Sequence, residues 1–154
     1  MEAPREFKPL KDVGTIALNE TTDLRFYVDE FKGFRYGSIR TFMRGDTYSG
    51  PTKSGVTMNP KILAGMIEVL SALPKEAPSA EKELARYPKK MGVELVVRVT
   101  LFKGAAGVDV REWVDDAEYK GWSKKGVRVG WNDLPKAVSL LKEMQPHVTK
   151  PSQP

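Results

Sequence analysis

Two hydrophobic periodicities alternate along the chain. Leu95, Val97, Val99 and Leu101 alternate with Glu94, Val96, Arg98, Thr100 and Phe102, the period of two of a half-buried strand. Gly104-Ala105-Ala106-Gly107 reads as a turn and Val108 to Val114 as a second strand. Tyr119 to Lys124 and Gly126 to Gly130 read as a third and a fourth. The period then changes. Leu134, Ala137, Val138, Leu141 and Met144 form one stripe of an amphipathic helix, with Asn132 as N-cap and Pro135 in the first turn. Leu63, Met66, Ile67, Leu70 and Leu73 form the same stripe earlier, capped by Asn59 with Pro60 at the first helical position.

The two patterns are copies. A gapless shift of 71 residues superposes Phe31-Lys32-Gly33 on Phe102-Lys103-Gly104, Arg40 on Arg111 and Phe42 on Trp113. It also carries Tyr48, Gly50, Lys53, Gly55 and Val56 onto Tyr119, Gly121, Lys124, Gly126 and Val127. From Leu24/Leu95 to Leu73/Met144 thirteen of fifty pairs are identical, where chance gives about three. The expected fold class is therefore α+β: two tandem β-β-β-β-α repeats, forming an intramolecular pseudo-dimer with curved antiparallel sheets and packed helices. One four-stranded sheet with one helix is marginal alone, which predicts a shared core. The repeats are placed at 12–73 and 91–145, with flexible tails at 1–11 and 146–154. Val13 to Leu18 is a candidate extra strand. Residues 74–90, rich in Pro, Lys, Glu and Ala, read as a linker holding a short helix over Ser79 to Tyr87. Fully extended, that linker reaches about 55 Å, enough to set the repeats side by side.

Composition narrows the chemistry. The 154 residues contain no Cys and a single His, His147 in a Pro-rich stretch, which argues against thiolate metal sites, thiol nucleophiles and His-based triads. No apolar run approaches a bilayer span, and no signal peptide opens the chain, so a cytoplasmic protein with no membrane partner is expected. The expected compartment becomes the nucleoid in a bacterium or virus and the nucleus in a eukaryote. Asp109, Glu112, Asp115 and Asp116 are the carboxylates of a conceivable metal nuclease. Strand parity turns Asp109 and Glu112 to opposite sides, and Ser38 and Thr41 replace them in the first repeat. A non-enzyme without cofactor or metal is the expectation.

Net charge is +5, with 25 Lys+Arg against 20 Asp+Glu, and this favours an anionic partner only weakly. The placement of the charge says more. With Val108 and Val110 inward, Asp109, Arg111 and Trp113 turn outward, as do Ser38, Arg40 and Phe42 in the first repeat. The same parity sets Phe102 beside Arg98, and Phe31 beside Arg25 and Tyr27. Lys124, Gly126 and Arg128 turn outward in the last strand, matched by Lys53, Gly55 and Thr57. Rings interleaved with cations suit unpaired nucleic acid, whose bases stack on the rings while its phosphates follow the cations. The plainer reading makes the rings a second core face and the lysines an ordinary solvated surface. Gly55 and Gly126 fit either a close phosphate approach or a bulge.

The order Phe102-Lys103-Gly104, Val108-Asp109-Val110-Arg111-Glu112-Trp113, Lys124-Lys125-Gly126-Val127 and the Leu134 to Met144 helix resembles the positive cofactor four family. That family comprises transcriptional coactivators and bacterial relatives with a single-stranded-DNA-binding domain. The resemblance covers about fifty residues of the second repeat and, more faintly, the first. It departs after Glu112, where Trp113 comes first and Val114 follows instead of a tyrosine and then a tryptophan. It implies a homodimer of β-β-β-β-α units, here joined in one chain, with grooves for single strands. It also implies binding roles for Phe102, Arg111 and the Lys124-Lys125 pair, with Lys120 a further candidate, and for Phe31, Arg40 and Lys53 in the first repeat. Lys32, Phe42, Lys103, Trp113, Trp122 and Arg128 complete the candidate set. The expected function is sequence-tolerant binding of single-stranded nucleic acid, DNA before RNA, in transcription, replication or repair. Transcription or replication proteins are candidate partners, and either a monomeric pseudo-dimer or a homodimer is expected. The alternative is a protein–protein adaptor that docks an acidic partner on the basic aromatic face.

Overall fold

The computed structural model describes residues 8–148. Two four-stranded antiparallel sheets and two helices give an α+β fold. In the first sheet β1 (Lys11–Ala17), β2 (Thr22–Phe31), β3 (Phe34–Arg44) and β4 (Ser49–Met58) pair in sequence order, and α1 (Pro60–Ser71) follows. The second sheet orders β5 (Lys82–Lys90), β6 (Val93–Phe102), β7 (Ala105–Asp115) and β8 (Lys120–Gly130), followed by a 3₁₀ turn over Trp131–Asp133 and α2 (Leu134–Met144). The strands β2 and β6, and β3 and β7, begin and end 71 residues apart.

Several sequence expectations change. Residues 82–90 are not linker or helix but the edge strand β5. Its alternation is hidden because a bulge at Leu84 breaks the register with β6, as one at Val13 does between β1 and β2. Residues 120–130 form one bent strand rather than two, so the fourth strand of each sheet is the one that precedes it at the edge. Asn59 caps α1 by accepting the Ile62 amide at 2.8 Å, whereas Asn132 lies in the 3₁₀ turn and Asp133 precedes α2 without a side-chain cap bond. Residues 145–147 form a further 3₁₀ turn and Val148 is buried, so the expected tail does not begin at 146. The remainder of both expected tails, 1–7 and 149–154, lies outside the described residues.

The period-2 strands turn Leu24, Phe26 and Val28, and Leu95, Val97 and Val99, into one continuous core. Leu63, Met66, Leu70, Leu134, Leu141 and Met144 of the helices fill it from the other side. Each helix reaches across to the other sheet. Gly14 of β1 faces the Leu140 methyls of α2, Gly37 of β3 faces Met144, and Gly65 of α1 makes room for the Tyr87 ring of β5. The two halves therefore share their stabilising contacts. Truncating fully buried Leu141 to Ala is expected to cost about 2–5 kcal/mol and to unfold both sheets in one denaturant transition. Two separate transitions would contradict the shared core.

Candidate nucleic-acid interface

With one side of each sheet committed to the core, the opposite side carries the polar and aromatic residues. The hairpins that join β2 to β3 and β6 to β7 turn on Lys32-Gly33 and Lys103-Gly104. All four residues have positive φ (52° and 81°, 51° and 79°), the two-residue geometry that matches strand twist and favours glycine second. These tips project Phe31 and Phe102, which are 61% and 62% exposed. Lys32 and Lys103 fold back over those rings at 5.3 and 5.5 Å.

The centre of each outward face is built around an arginine lying across a glycine. Arg40 pairs in register with Gly55, and Arg111 with Gly126. A methyl group on Gly126 would come within 2.5 Å of the Arg111 guanidinium carbon, and one on Gly55 within 3.0 Å of that of Arg40. These glycines admit a side chain of the neighbouring strand. Beyond them, two residues of β3 or β7 span four of β4 or β8, so 52–54 and 123–125 bulge. Arg40 donates to the Thr52 carbonyl at 2.9 Å and Arg111 to that of Ser123 at 3.2 Å, while the Thr52 and Ser123 hydroxyls accept the amides of Ser54 and Lys125. Exposed Lys53, Lys124 and Lys125 stand on the bulges.

The central arginines of the two faces differ in their partners. Asp109, buried on the second face, accepts from Arg98 at 3.2 Å and from Arg111 at 3.3 Å. Ser38 replaces it on the first face, where Arg40 donates instead to the Tyr27 hydroxyl at 3.0 Å. Among the described residues Arg40 has no carboxylate partner. Losing the acidic neighbour thus leaves the first arginine the less neutralised of the two.

The aromatic candidates separate into three groups. Trp113 and Trp122 are half-buried on the second face, packed edge to face at 4.8 Å, with the Arg98 guanidinium 4.1 Å over the Trp122 ring. Phe31 and Phe102 belong to the same sides but stand at the hairpin tips, several residues along the strands from the arginines. Phe42 points outward as parity requires, yet it is 5% exposed, covered by Tyr27 and by Arg25 at 4.9 Å. It is therefore not an open stacking platform, which corrects the expectation. Arg128 is also redirected: it donates to the Thr100 hydroxyl and to the Thr100 and Ala105 carbonyls, bracing the β6–β7 hairpin. Lys120 stays exposed, 4.0 Å from Asp115.

Tyr36, Lys89 and Lys90 were missed. Tyr36 is half-buried on the first outward face; burial raises its phenol pKa, Asp29 and Tyr27 add to the rise and Arg40 opposes it. It faces the strand surface as a neutral ring with a hydroxyl donor. Parity from inward Ile39, which places Tyr36 outward, is the signal that could have found it. Lys89 and Lys90 fell in the supposed linker, although Lys11-Asp12-Val13 against Lys82-Glu83-Leu84 extends the 71-residue match there. Asp109 and Glu112 face opposite sides of β7, and Glu112 is bonded to Lys89 at 2.8 Å. Among the described residues no three His, Asp or Glu gather as metal ligands.

No protein-family model matches the chain, and no curated protein matches it. Among solved structures, the crystal structure of WHY3 from Arabidopsis thaliana is similar over 95% of this chain and 90% of its own, at 11% identity and a TM-score of 0.44. The structure of the plant transcriptional regulator PBF-2 is similar over 95% of this chain and 84% of its own, at 9% identity and a TM-score of 0.45. Superpositions this loose leave function to rest on the chain's own residues. The resemblance to the positive cofactor four family stays one of sequence motifs.

The burial difference between the rings has a measurable consequence. Phe42→Ala should lower stability by about 3–5 kcal/mol and leave the affinity of the folded protein for a single strand unchanged. Trp113→Ala should instead lose about 1–3 kcal/mol of affinity, with a smaller drop in melting temperature than Phe42→Ala. Equal behaviour of the two variants would remove the distinction.

Proposed function

We propose that this protein binds single-stranded nucleic acid, DNA in preference to RNA, without strong sequence preference and without catalysis, as an internal pseudo-dimer produced by tandem duplication. The observation that carries the reading is the second outward face, where two half-exposed tryptophans lie among Arg98, Arg111 and the Lys124-Lys125 bulge. Bases stack on such rings for about 1–3 kcal/mol each, and cations alongside hold the phosphates. A duplex hides its base faces in the stack and offers little to this surface. The matching bulges and Arg–Gly crossings at 71-residue spacing support the duplication. Action in transcription, replication or repair follows as the setting where single strands occur.

Anisotropy with matched single- and double-stranded oligonucleotides tests the proposal. Preferential binding of the single strand, lost as salt rises, is expected. Equal affinity for the duplex would overturn it. Insensitivity to oligo(dT) together with binding of acidic peptides would establish the adaptor reading instead.

The different partners of the two central arginines predict unequal salt responses. Replacing Arg40 and Lys53 together by Ala should flatten log affinity against log salt by about 1.4, at about 0.7 per phosphate contact. Replacing Arg111 and Lys124 should flatten it by less, about 1, because Asp109, shared between Arg98 and Arg111, offsets part of the Arg111 charge. Equal slopes would show that the carboxylate does not matter to binding.

A further inference from the structure

Edge strands β4 and β8 belong to different sheets but lie against each other, and a cavity of about 260 Å³ opens at their junction. Arg40 and Lys53 line it from the first sheet, and Lys89, Lys90, Glu112 and Lys125 from the second. The single carboxylate is already taken, since Glu112 is bonded to Lys89. Among the described residues Arg40, Lys53, Lys90 and Lys125 have no carboxylate partner. Lysines on sheet edges ordinarily prevent edge-to-edge association with other molecules. That account covers the lysines of edge strands β4, β5 and β8 one by one, whereas Arg40 comes from the inner strand β3, and the fold gathers cations from four strands around one cavity. Like charges held together cost stability unless an anion occupies the space between them, and a concave site of one sign concentrates its field on such an anion. Arg40 adds a planar fork of donors suited to phosphate oxygens.

We infer that this seam is a phosphate-binding site that holds the backbone of one continuous strand as it passes from the first outward face to the second. The inference rests on the single-strand reading and adds to it a path: the two faces form one tract rather than two independent sites. Arg40 of the first face and Lys125 of the second face's bulge both line the cavity, which therefore touches both faces. The seam is also the place where both halves contribute to a single phosphate.

Lys90 is exposed, makes no ion pair among the described residues and stands on neither basic bulge, so Lys90→Glu should fold and melt like the unsubstituted protein. Its affinity is measured with oligo(dT) of about 8 nucleotides, enough for one face, and of about 30, enough to cross the seam. The long oligonucleotide should lose on the order of fivefold or more in affinity and the short one less than about twofold, with Lys90→Gln intermediate for the long one. Unchanged affinity for the long strand, or equal loss at both lengths, overturns the seam while the single-strand reading stands. If the unsubstituted protein binds neither length, that reading falls and takes the seam with it.

Discussion

Each four-stranded sheet turns a full apolar face to one side, Leu24, Phe26 and Val28 in the first and Leu95, Val97 and Val99 in the second, and a helix of eleven or twelve residues is too narrow to cover it alone. Apolar area left in water costs roughly 25 cal/mol per Å², so the faces must find a common cover. The helices supply it by crossing. Leu140 and Met144 of α2 reach β1 and β3 of the first sheet, while α1 packs on Tyr87 of the second. Glycines at 14, 37 and 65 stand where a larger residue would hold these elements apart. Everything on the outside follows from that closure.

Because both inner faces are consumed, both outer faces stay available, and they are placed side by side with β4 and β8 at the centre. The matching devices on them, an arginine across a glycine beside a basic bulge, are equivalent in backbone and differ in the partners of the arginine. Asp109 ties two arginines together on one face, whereas on the other Arg25 pairs with Asp12 and Ser38 leaves Arg40 without a carboxylate partner among the described residues. The rings are unequal as well. Trp113 meets Trp122 across the strands, whereas Phe42 meets Pro51 and sinks beneath Tyr27 and Arg25.

The sequence by itself determined the internal match at 71-residue spacing, the two helical stripes, the inward and outward sides of β2, β3, β6 and β7, and the collection of arginines and aromatics on the outward side. Those features depend on local periodicity and on identity at a fixed spacing, both written in the residue order. It did not disclose β5, since a bulge at Leu84 and Pro88 interrupt the alternation of an edge strand. Nor did it show that Gly55 and Gly126 make room for guanidinium groups, that Phe42 is covered, or that Arg128 braces a hairpin. Parity tells which side a residue takes but not what lies above it, because cover comes from cross-strand neighbours set by register. The basic seam was hidden for the same reason. Arg40, Lys53, the Lys89-Lys90 pair and Lys125 come from separate stretches of the chain and meet only when two sheets close over one core.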